Sequence, residues 1–163
     1  MAACALANNR SMMKAAFPMK WGYCMPNGKL VINARSETAM GKPMFRDGMT
    51  QHRCVVPASH YFEWEHTGKE KTKYAIRPAG TRLMYMAGIY RMELGEPVFS
   101  IQTRSLADNI RFMHDRMPVI LEPDIIADWM NPRYTAEEIL KQAVLDVGYQ
   151  KAEPEVAGQI SLF

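Results

Sequence analysis

The fold of this chain is constrained most by a long succession of short strand-like segments, followed by helical patterning after about residue 122. The segments are apolar or alternating, and turn signals such as Pro-Asn-Gly at 26–28 and Thr-Gly-Lys at 67–69 separate them. Strand-like segments cover residues 14–24, 30–32, 54–56, 59–65, 74–76, 84–90, 98–102 and 119–121.

After about residue 122, the spacing of apolar residues changes from that of a strand to that of a helix. Residues 123–130 have the pattern of a helix that ends at Asn131-Pro132, and Thr135 with Glu138 forms a capping box that predicts a second helix to about residue 147. A further short helix is predicted over 105–113, with Ser105 as its cap. Many strands followed by helices indicate an α+β fold. We expect a β-rich, mostly antiparallel sheet or distorted barrel with flanking and C-terminal helices, in a single domain over residues 1–163.

Size and composition narrow the class of protein. The chain has 163 residues, of which 48% are hydrophobic, enough to bury a core. Its apolar runs are shorter than the ~18 residues that span a membrane, and its start lacks the basic region of a signal peptide, so we expect no membrane partner. The cysteines Cys4, Cys24 and Cys54 form no Cys-x-x-Cys pair. This argues against a zinc site and a disulfide framework, and favours the reducing cytoplasm. No cofactor is predicted.

Charge is distributed unevenly along the chain. Residues 1–116 contain 17 Lys and Arg against 9 Asp and Glu, a balance of +8, and residues 117–163 contain 3 against 8, a balance of −5. A basic body of this kind is typical of a protein with a polyanionic partner. A solvated basic surface without a partner remains the alternative interpretation.

The first of three polar segments is VINARSETA, residues 31–39. It has Asn33, Arg35 and Glu37 at alternating positions, so an extended backbone would project all three side chains from one face. These groups are candidates for binding a polar or anionic ligand. The alternative is a turn with a surface ion pair, which contributes only about 0–1 kcal/mol to stability.

The other two polar segments supply acid–base groups. YFEWE, residues 61–65, has Glu63 between two aromatic residues, and burial among them would raise its pKa and suit it to proton transfer near neutral pH. MHDRMPVI, residues 113–120, supplies His114 and Arg116 at the start of a strand. Glu63 could instead face solvent from a strand, and His114 could be a structural histidine in the core or at a cap.

Several segments in this order resemble the SRAP family, the SOS response-associated peptidase-like domain. The likeness covers roughly residues 17–130, and NARSET, YFEW and HDRMP are together very specific to the family. The matching segments are WGYCMP, VINARSETA, KPMFRD, RCVVPASHYFEWE, YMAGIY and MHDRMPVIL.

The resemblance implies a protein that binds single-stranded DNA at abasic sites. In the family, an N-terminal cysteine exposed by removal of Met condenses through its amine and thiol with the sugar aldehyde, giving a thiazolidine DNA–protein cross-link. An α-amine has a pKa of about 8 and is partly neutral at pH 7. By motif, Glu63 corresponds to the catalytic glutamate beside that amine and His114 to the histidine that shuttles protons. Asn33 corresponds to the asparagine that holds the reacting end, and Arg35 and Arg116 to the phosphate-binding arginines.

The start of this chain departs from the family pattern. Relatives begin Met-Cys-Gly-Arg, whereas this chain begins Met-Ala-Ala-Cys, so removal of Met1 would expose Ala2 and leave the nitrogen of Cys4 in a peptide bond. We therefore expect an N-terminally truncated domain that starts at an internal methionine of a longer reading frame. Two other functions stay open. One is non-covalent binding of single-stranded DNA, and the other is a thiol-type or self-cleaving peptidase in which a nucleophile pairs with His114.

Overall fold

A small closed barrel is the centre of the fold in the computed structural model, which describes residues 1–8, 13–106 and 110–152. The strands of these residues are β1 Ala2–Asn8, β2 Lys14–Trp21, β3 Tyr23–Cys24, β4 Leu30–Val31, β5 Asn33–Arg35, β6 Arg53–Ala58, β7 Tyr61–Thr67, β8 Glu70–Arg77, β9 Met84–Glu93, β10 Glu96–Ser105, β11 Arg116–Pro118, β12 Ile120–Leu121 and β13 Gly148–Lys151. The helices are α1 Ser36–Ala39, α2 Pro43–Thr50, α3 Ile126–Met130 and α4 Ala136–Leu140, and a 3-10 turn, Pro123–Ile125, precedes α3.

Five strands close the barrel in the order β10, β2, β1, β6 and β9, and β9 pairs back onto β10. The pairings are antiparallel except between β2 and β10, and β5 also joins β10 in parallel. Where β9 and β10 diverge, β11 pairs with β10 and β12 pairs with β9. The prediction of a mostly antiparallel, barrel-like α+β fold is confirmed.

Alternating side chains of the barrel strands fill two layers of core. One layer is formed by strand residues alone and includes Ala5, Cys54 and Phe99, all 1% exposed or less. The other layer packs against the helices, where Val55 meets Trp129 of α3. The β6 strand is therefore buried on both faces, which is why its sequence reads as a continuous apolar run rather than an alternating one.

A separate antiparallel sheet is formed by β7, β8 and β13, with β8 in the middle. The predicted turn at 67–69 connects β7 to β8, and Gly68 has a φ of +63° that favours glycine. One face of this sheet packs through Tyr61, Tyr74 and Ile76 on a second cluster that includes Met113 and Met117. This packing brings β7 against the segment that contains His114.

Two strand predictions were incomplete. The segment 14–24 is not one strand, because Gly22 adopts a φ of +110° and separates β2 from β3. Its N–H donates to the carbonyl of Phe99 at 2.8 Å, so the chain bends at the rim of the barrel. The β1 and β13 strands were both missed. The residues of β13 are exposed and lack the alternation that identifies a half-buried strand.

Both helices predicted at the C-terminal end, α3 and α4, are present, but they are shorter than predicted. The predicted helix to residue 147 ends at Leu140, and the Oγ1 of Thr135 donates to Glu138 at 2.7 Å instead of capping a backbone N–H. The chain then turns so that Val147 is buried against the second sheet. Ser105 is the last residue of β10 and not a helix cap, and the central part of the predicted helix 105–113, residues 107–109, lies outside the described residues.

Two helices near the barrel rim were not anticipated. The α1 and α2 helices lie in a part of the sequence with glycine and proline, which lowers helix propensity. Pro43 sits in the first turn of α2, where its missing N–H costs nothing. Among the described residues, no helix has the length and apolar character needed to cross a membrane.

Candidate functional site

Three distant segments meet side by side at the end of β10. Thr103 lies between Arg35 of β5, paired in parallel, and Pro118 of β11, paired antiparallel. Two residues further on, Ser105 lies opposite Arg116. The polar segments at 31–39 and 113–120 are therefore joined through β10, and the residues they carry share one region of the barrel rim.

Arg116 and Glu37 form a two-pronged ion pair at this point. The Nη1 of Arg116 donates to Oε1 of Glu37 at 3.0 Å and its Nη2 to Oε2 at 2.7 Å. The same Nη2 donates to the carbonyl of Thr103 at 2.7 Å, and the backbone N–H of Ser105 donates to Glu37 at 3.2 Å. A bidentate pair held by backbone groups on both sides has a fixed orientation.

Glu37 does not belong to the extended face on which it was predicted. Asn33 and Arg35 are both exposed and two residues apart in β5, so they do share a face. The backbone then enters α1 at Ser36, with Glu37 in the first turn of that helix. The prediction of three alternating side chains was therefore wrong for Glu37, because the strand ends before it.

The electrostatics of Glu37 follow from these contacts. Burial raises the pKa of its carboxyl, but the hydrogen bonds from Arg116 and from the N–H of Ser105 outweigh burial, so the pKa lies below its ordinary value of 4.5. Glu37 is therefore ionised through the physiological range. It contributes stability above pH 4.5 that is lost as the pH falls through the lowered pKa.

Replacing Glu37 with glutamine tests this ion pair. The side chain of Glu37 is 47% exposed, so we expect a loss of about 1 kcal/mol or less at pH 7. The difference from the unchanged protein should shrink below pH 4.5, where protonation removes the same charge. Urea unfolding at pH 7 and at successively lower pH measures both effects. Glu70→Gln, at an exposed position of β8, is the control, and a difference that does not depend on pH would contradict the assignment.

Glu63 lies in the middle of β7 on its inward face. Burial raises the pKa of its carboxyl, and the neighbouring His114 acts more weakly in the opposite direction. The sequence predicted burial between the flanking aromatic residues, but Phe62 and Trp64 point to the other face of the strand. The half-buried state of Glu63 comes instead from packing of the second sheet on the segment that precedes β11.

His114 interacts with both Glu63 and Arg116. Its Nδ1 accepts the backbone N–H of Arg116 at 3.1 Å and lies 3.3 Å from the carboxylate of Asp115. The imidazole is half exposed and lies near enough to Glu63 to influence the pKa of that carboxyl. His114 is therefore neither a core histidine nor a helix cap, and the structure brings together Glu63, His114 and Arg116 from two distant segments.

Two residues near the site were missed in the sequence. Thr103 supplies the carbonyl that holds Arg116, and only the pairing of β10 with β11 shows this. Tyr61 shares the inward face of β7 with Glu63, and its hydroxyl is buried without a hydrogen-bond partner among the described residues. Burial and the charge of Glu63 raise the pKa of Tyr61. In the sequence, Tyr61 could have been found from its position two residues before Glu63, which places both side chains on one face of a strand.

An open cleft of about 740 Å³ adjoins the ion pair between α1, α2 and α4. Glu37 and Ser105 belong to both the ion pair and the cleft wall. Within residues 1–8, 13–106 and 110–152, no group of three or more His, Cys, Asp or Glu side chains is arranged to hold a metal ion. The remaining lining residues are Ser36, Met40, Met49, Arg104, Val119, Thr135, Ala136, Glu137, Leu140 and Lys141.

Fold and site together define a class of protein. It is a barrel protein with a second sheet whose Glu63 lies near His114, two residues before the ion-paired Arg116 at the barrel rim. The sequence model of the family described as SOS response associated peptidase (SRAP) matches residues 2–157. This chain belongs to that family.

Relatives and solved structures agree with this assignment. "Abasic site processing protein YoaM" of Bacillus subtilis is 33% identical over 139 residues, which are 78% of this chain and 61% of that protein. "Abasic site processing protein YedK" of Escherichia coli is 31% identical over 127 residues, 74% of this chain and 57% of that protein. The chain thus spans about three fifths of the length of these relatives. A crystal structure of a Bacteroides thetaiotaomicron protein, 27% identical, superposes with a TM-score of 0.79 over 94% of this chain and 74% of that one.

Proposed function

We propose that this protein binds single-stranded DNA at abasic sites in the cytoplasm and processes the lesion through its ring-opened sugar aldehyde. The observation that carries the proposal is the meeting of Glu63, His114 and Arg116 near the end of β10. An acid–base pair beside an oriented guanidinium suits a substrate that is both a phosphodiester and an aldehyde. The abasic-site names of relatives more than 30% identical support it.

Phosphate contacts are assigned to the two arginines. Arg116 holds the paired oxygens of Glu37 in a planar fork, and a DNA phosphate, which offers the same pair of oxygens, would take the place of that carboxylate. Arg35 lies on the exposed face of β5, where its guanidinium can reach a backbone phosphate. Asn33, two residues earlier on that face, is assigned to hold the lesion beside the reacting groups.

The chemistry assigned to Glu63 and His114 is proton transfer. Opening the abasic sugar moves the proton of its anomeric hydroxyl to a base and delivers a proton to the ring oxygen, which leaves a free aldehyde. A cysteine with a free α-amine then adds to that aldehyde and water leaves, giving an imine. The thiol adds to the imine carbon and its proton goes to the nitrogen, which closes a thiazolidine. The raised pKa of Glu63 keeps a proton available closer to neutral pH.

Non-covalent binding is the second candidate, and Cys4 favours it. This cysteine lies within β1 opposite Pro18, with its nitrogen in the peptide bond to Ala3. A chain that keeps residues 1–3 has a thiol there but no cysteine amine. Such a chain would recognise single-stranded DNA through its arginines without forming a cross-link.

A thiol peptidase receives less support. Cys54 is fully buried, and burial raises the pKa of its thiol, which disfavours the nucleophilic thiolate. In the part of the chain that the structure describes, Nδ1 of His114 accepts the backbone N–H of Arg116 and lies 3.3 Å from the carboxylate of Asp115, and no thiol or hydroxyl is recorded as its partner. Peptide hydrolysis that disappears in Cys4→Ala would restore this alternative.

A denaturing gel tests the proposal. The 163-residue chain, and a form extended at its N-terminus so that it begins Met-Cys and exposes a cysteine amine when Met is removed, are each mixed with single-stranded DNA that contains one abasic site. We expect salt-sensitive binding by both and a covalent band for the form with a cysteine amine. Absence of binding to single-stranded DNA by either form would overturn the proposal. A covalent band from the 163-residue chain, lost in Cys4→Ala, would assign the cross-link to this thiol.

Arg35→Ala tests the phosphate contact separately from the chemistry. Loss of one phosphate contact should weaken binding to all single-stranded sequences and reduce the slope of log affinity against log salt by about one. The yield of product per bound complex should change little. Fluorescence anisotropy over a series of salt concentrations measures the slope, with Arg133→Ala as a control at an exposed position before α4. An unchanged slope would contradict the assignment.

A further inference from the structure

The β7 strand has an inverted arrangement of side chains. Its carboxylates, Glu63 and Glu65, lie half-buried on the inward face, whereas Phe62 and Trp64 point outward and are 38% and 44% exposed. Large aromatic side chains on a sheet normally face the core, and an exposed apolar patch usually marks a binding surface. The second sheet therefore has an outward face that packing within the described residues does not explain.

Cations surround these aromatic rings. Phe62 lies opposite Ala75, Trp64 opposite Lys73 and His66 opposite Lys71, and directly opposed residues share a face. Every second residue of β8 lies on this face, so Arg77 belongs to it as well. The carboxylates of β7 and β8 lie on the other face, and Gln150 is the β13 residue opposite Ala75. In the described strands this outer face, defined by the side chains named here, has aromatic and cationic groups without an acidic one.

Lys73 connects the charge to the rings. Its Nζ lies 4.0 Å from the centroid of Phe62 and 5.7 Å from that of Trp64. The edge of His60 contacts Phe62, with 4.6 Å between the ring centroids. A cation held over two exposed rings offers a phosphate contact beside a stacking surface. This combination is what non-specific single-stranded nucleic acid binding requires.

A small cleft of about 260 Å³ continues the outer face at one end of the sheet. His60, Arg77 and Gln150 line it, together with backbone of the turn that contains Gly80. The surface is therefore not flat throughout. It passes from a pair of exposed rings to a polar recess with a guanidinium group.

We propose that this outer face is a second contact surface for single-stranded DNA, on which bases stack against Phe62 and Trp64 while Lys73 and Arg77 contact phosphates. The inference rests on the proposed function, because it extends the same DNA strand beyond the site. Since β7 is the edge strand of its sheet, Glu63 and Trp64 are separated only by the thickness of one strand. DNA that leaves the site can therefore turn around this edge and reach the outer face.

Binding of undamaged single-stranded DNA of two lengths tests the surface. Oligonucleotides of about 8 and about 30 nucleotides are compared, since single-strand sites typically cover about 4 to 16 nucleotides. The double variant Phe62→Ala, Trp64→Ala should weaken binding of the longer DNA by about fivefold or more and leave the shorter within about twofold. Tyr134→Ala, whose side chain is 45% exposed outside this sheet, is the matched control and should change neither.

Tryptophan fluorescence reports on DNA binding to the outer face in the unchanged protein, without a substitution that could destabilise the fold. Of the three tryptophans, Trp64 is exposed, Trp21 is partly exposed on the barrel and Trp129 is buried. Bases stacking on the outer face should therefore quench the emission of Trp64 in the unchanged protein. Trp64→Phe keeps a ring, so it should lose this quenching but keep its affinity within about twofold. Equal affinity of the double variant and the parent for the longer DNA, or quenching that is undiminished in Trp64→Phe, would overturn the second surface alone. Absence of DNA binding by the parent would overturn the proposed function as well.

Discussion

Replacing Glu63 with glutamine should slow the reaction with abasic single-stranded DNA by about a hundredfold or more, the usual effect of removing a positioned acid–base group. Glutamine keeps the size and polarity of the side chain but cannot accept or release the proton. The half-buried carboxyl has a raised pKa and interacts with His114, so it is equipped for transfer in both directions. Binding of the DNA should be almost unchanged, since Glu63 is not a phosphate contact in this proposal.

The measurement is the single-turnover rate of covalent capture on a denaturing gel, with the form of the protein that has a cysteine amine. Glu65→Gln is the matched control. It is the same substitution on the same face of β7, two residues along the strand, where the carboxylate accepts the hydroxyl of Tyr74 at 3.0 Å. Equal rates for Glu63→Gln and the parent would refute the catalytic role.

The same variant has a stability signature. Because the folded-state pKa of Glu63 is raised above 4.5, its favourable contribution is complete below pH 4.5 and is lost as the pH rises through the raised value. Glu63→Gln should lack that loss and therefore gain stability relative to the parent as the pH rises. Urea unfolding across this pH range measures the difference. A relative loss of stability in the variant on going to higher pH would contradict the assigned direction of the pKa.

Trp129→Ala should lower the free energy of unfolding by about 3–5 kcal/mol, the cost of removing a large buried aromatic side chain. Trp129 is 0% exposed in the layer between α3 and the barrel, and its Nε1 donates to the carbonyl of Cys54 at 2.9 Å. The guanidinium of Arg53 lies 5.3 Å from its ring. The substitution therefore leaves a cavity, a buried carbonyl without its indole donor and a buried cation without its aromatic neighbour.

Chemical denaturation at pH 7 measures this effect, and Trp64→Ala provides the comparison. It is the same change at a strand position that is 44% exposed, where we expect a loss below about 1 kcal/mol. Similar losses for both variants would show that α3 does not anchor the barrel. A large loss for Trp129→Ala alone would identify this residue as the contact that attaches the C-terminal helices to β6.

Local patterns in the sequence accounted for much of the fold and for part of the site. Four of the five barrel strands and the β7–β8 turn followed from alternation and turn residues, whereas β1 was not predicted. The α3 helix ended at the predicted Asn131-Pro132. Local patterns failed where a contact with another part of the structure decided the conformation. The hydroxyl of Thr135 donates to the side chain of Glu138 instead of capping α4. The β13 strand forms by pairing with β8, which is distant in the sequence. The roles of Asn33, Arg35 and the other site residues remain predictions.

The sequence by itself determined a succession of strands followed by C-terminal helices, the antiparallel class and the three polar segments, because alternation, turn chemistry and helix stop signals are properties of neighbouring residues. It did not predict β1, β13, α1 or α2. Only the tertiary structure decided which groups meet. Glu37 pairs with Arg116 and Glu63 lies near His114 because β5, β10 and β11 align in one register and the second sheet packs on the segment before β11. The direction of Phe62 and Trp64 was decided in the same way. Register between strands distant in the chain depends on the whole packed core, and no short stretch of residues contains it.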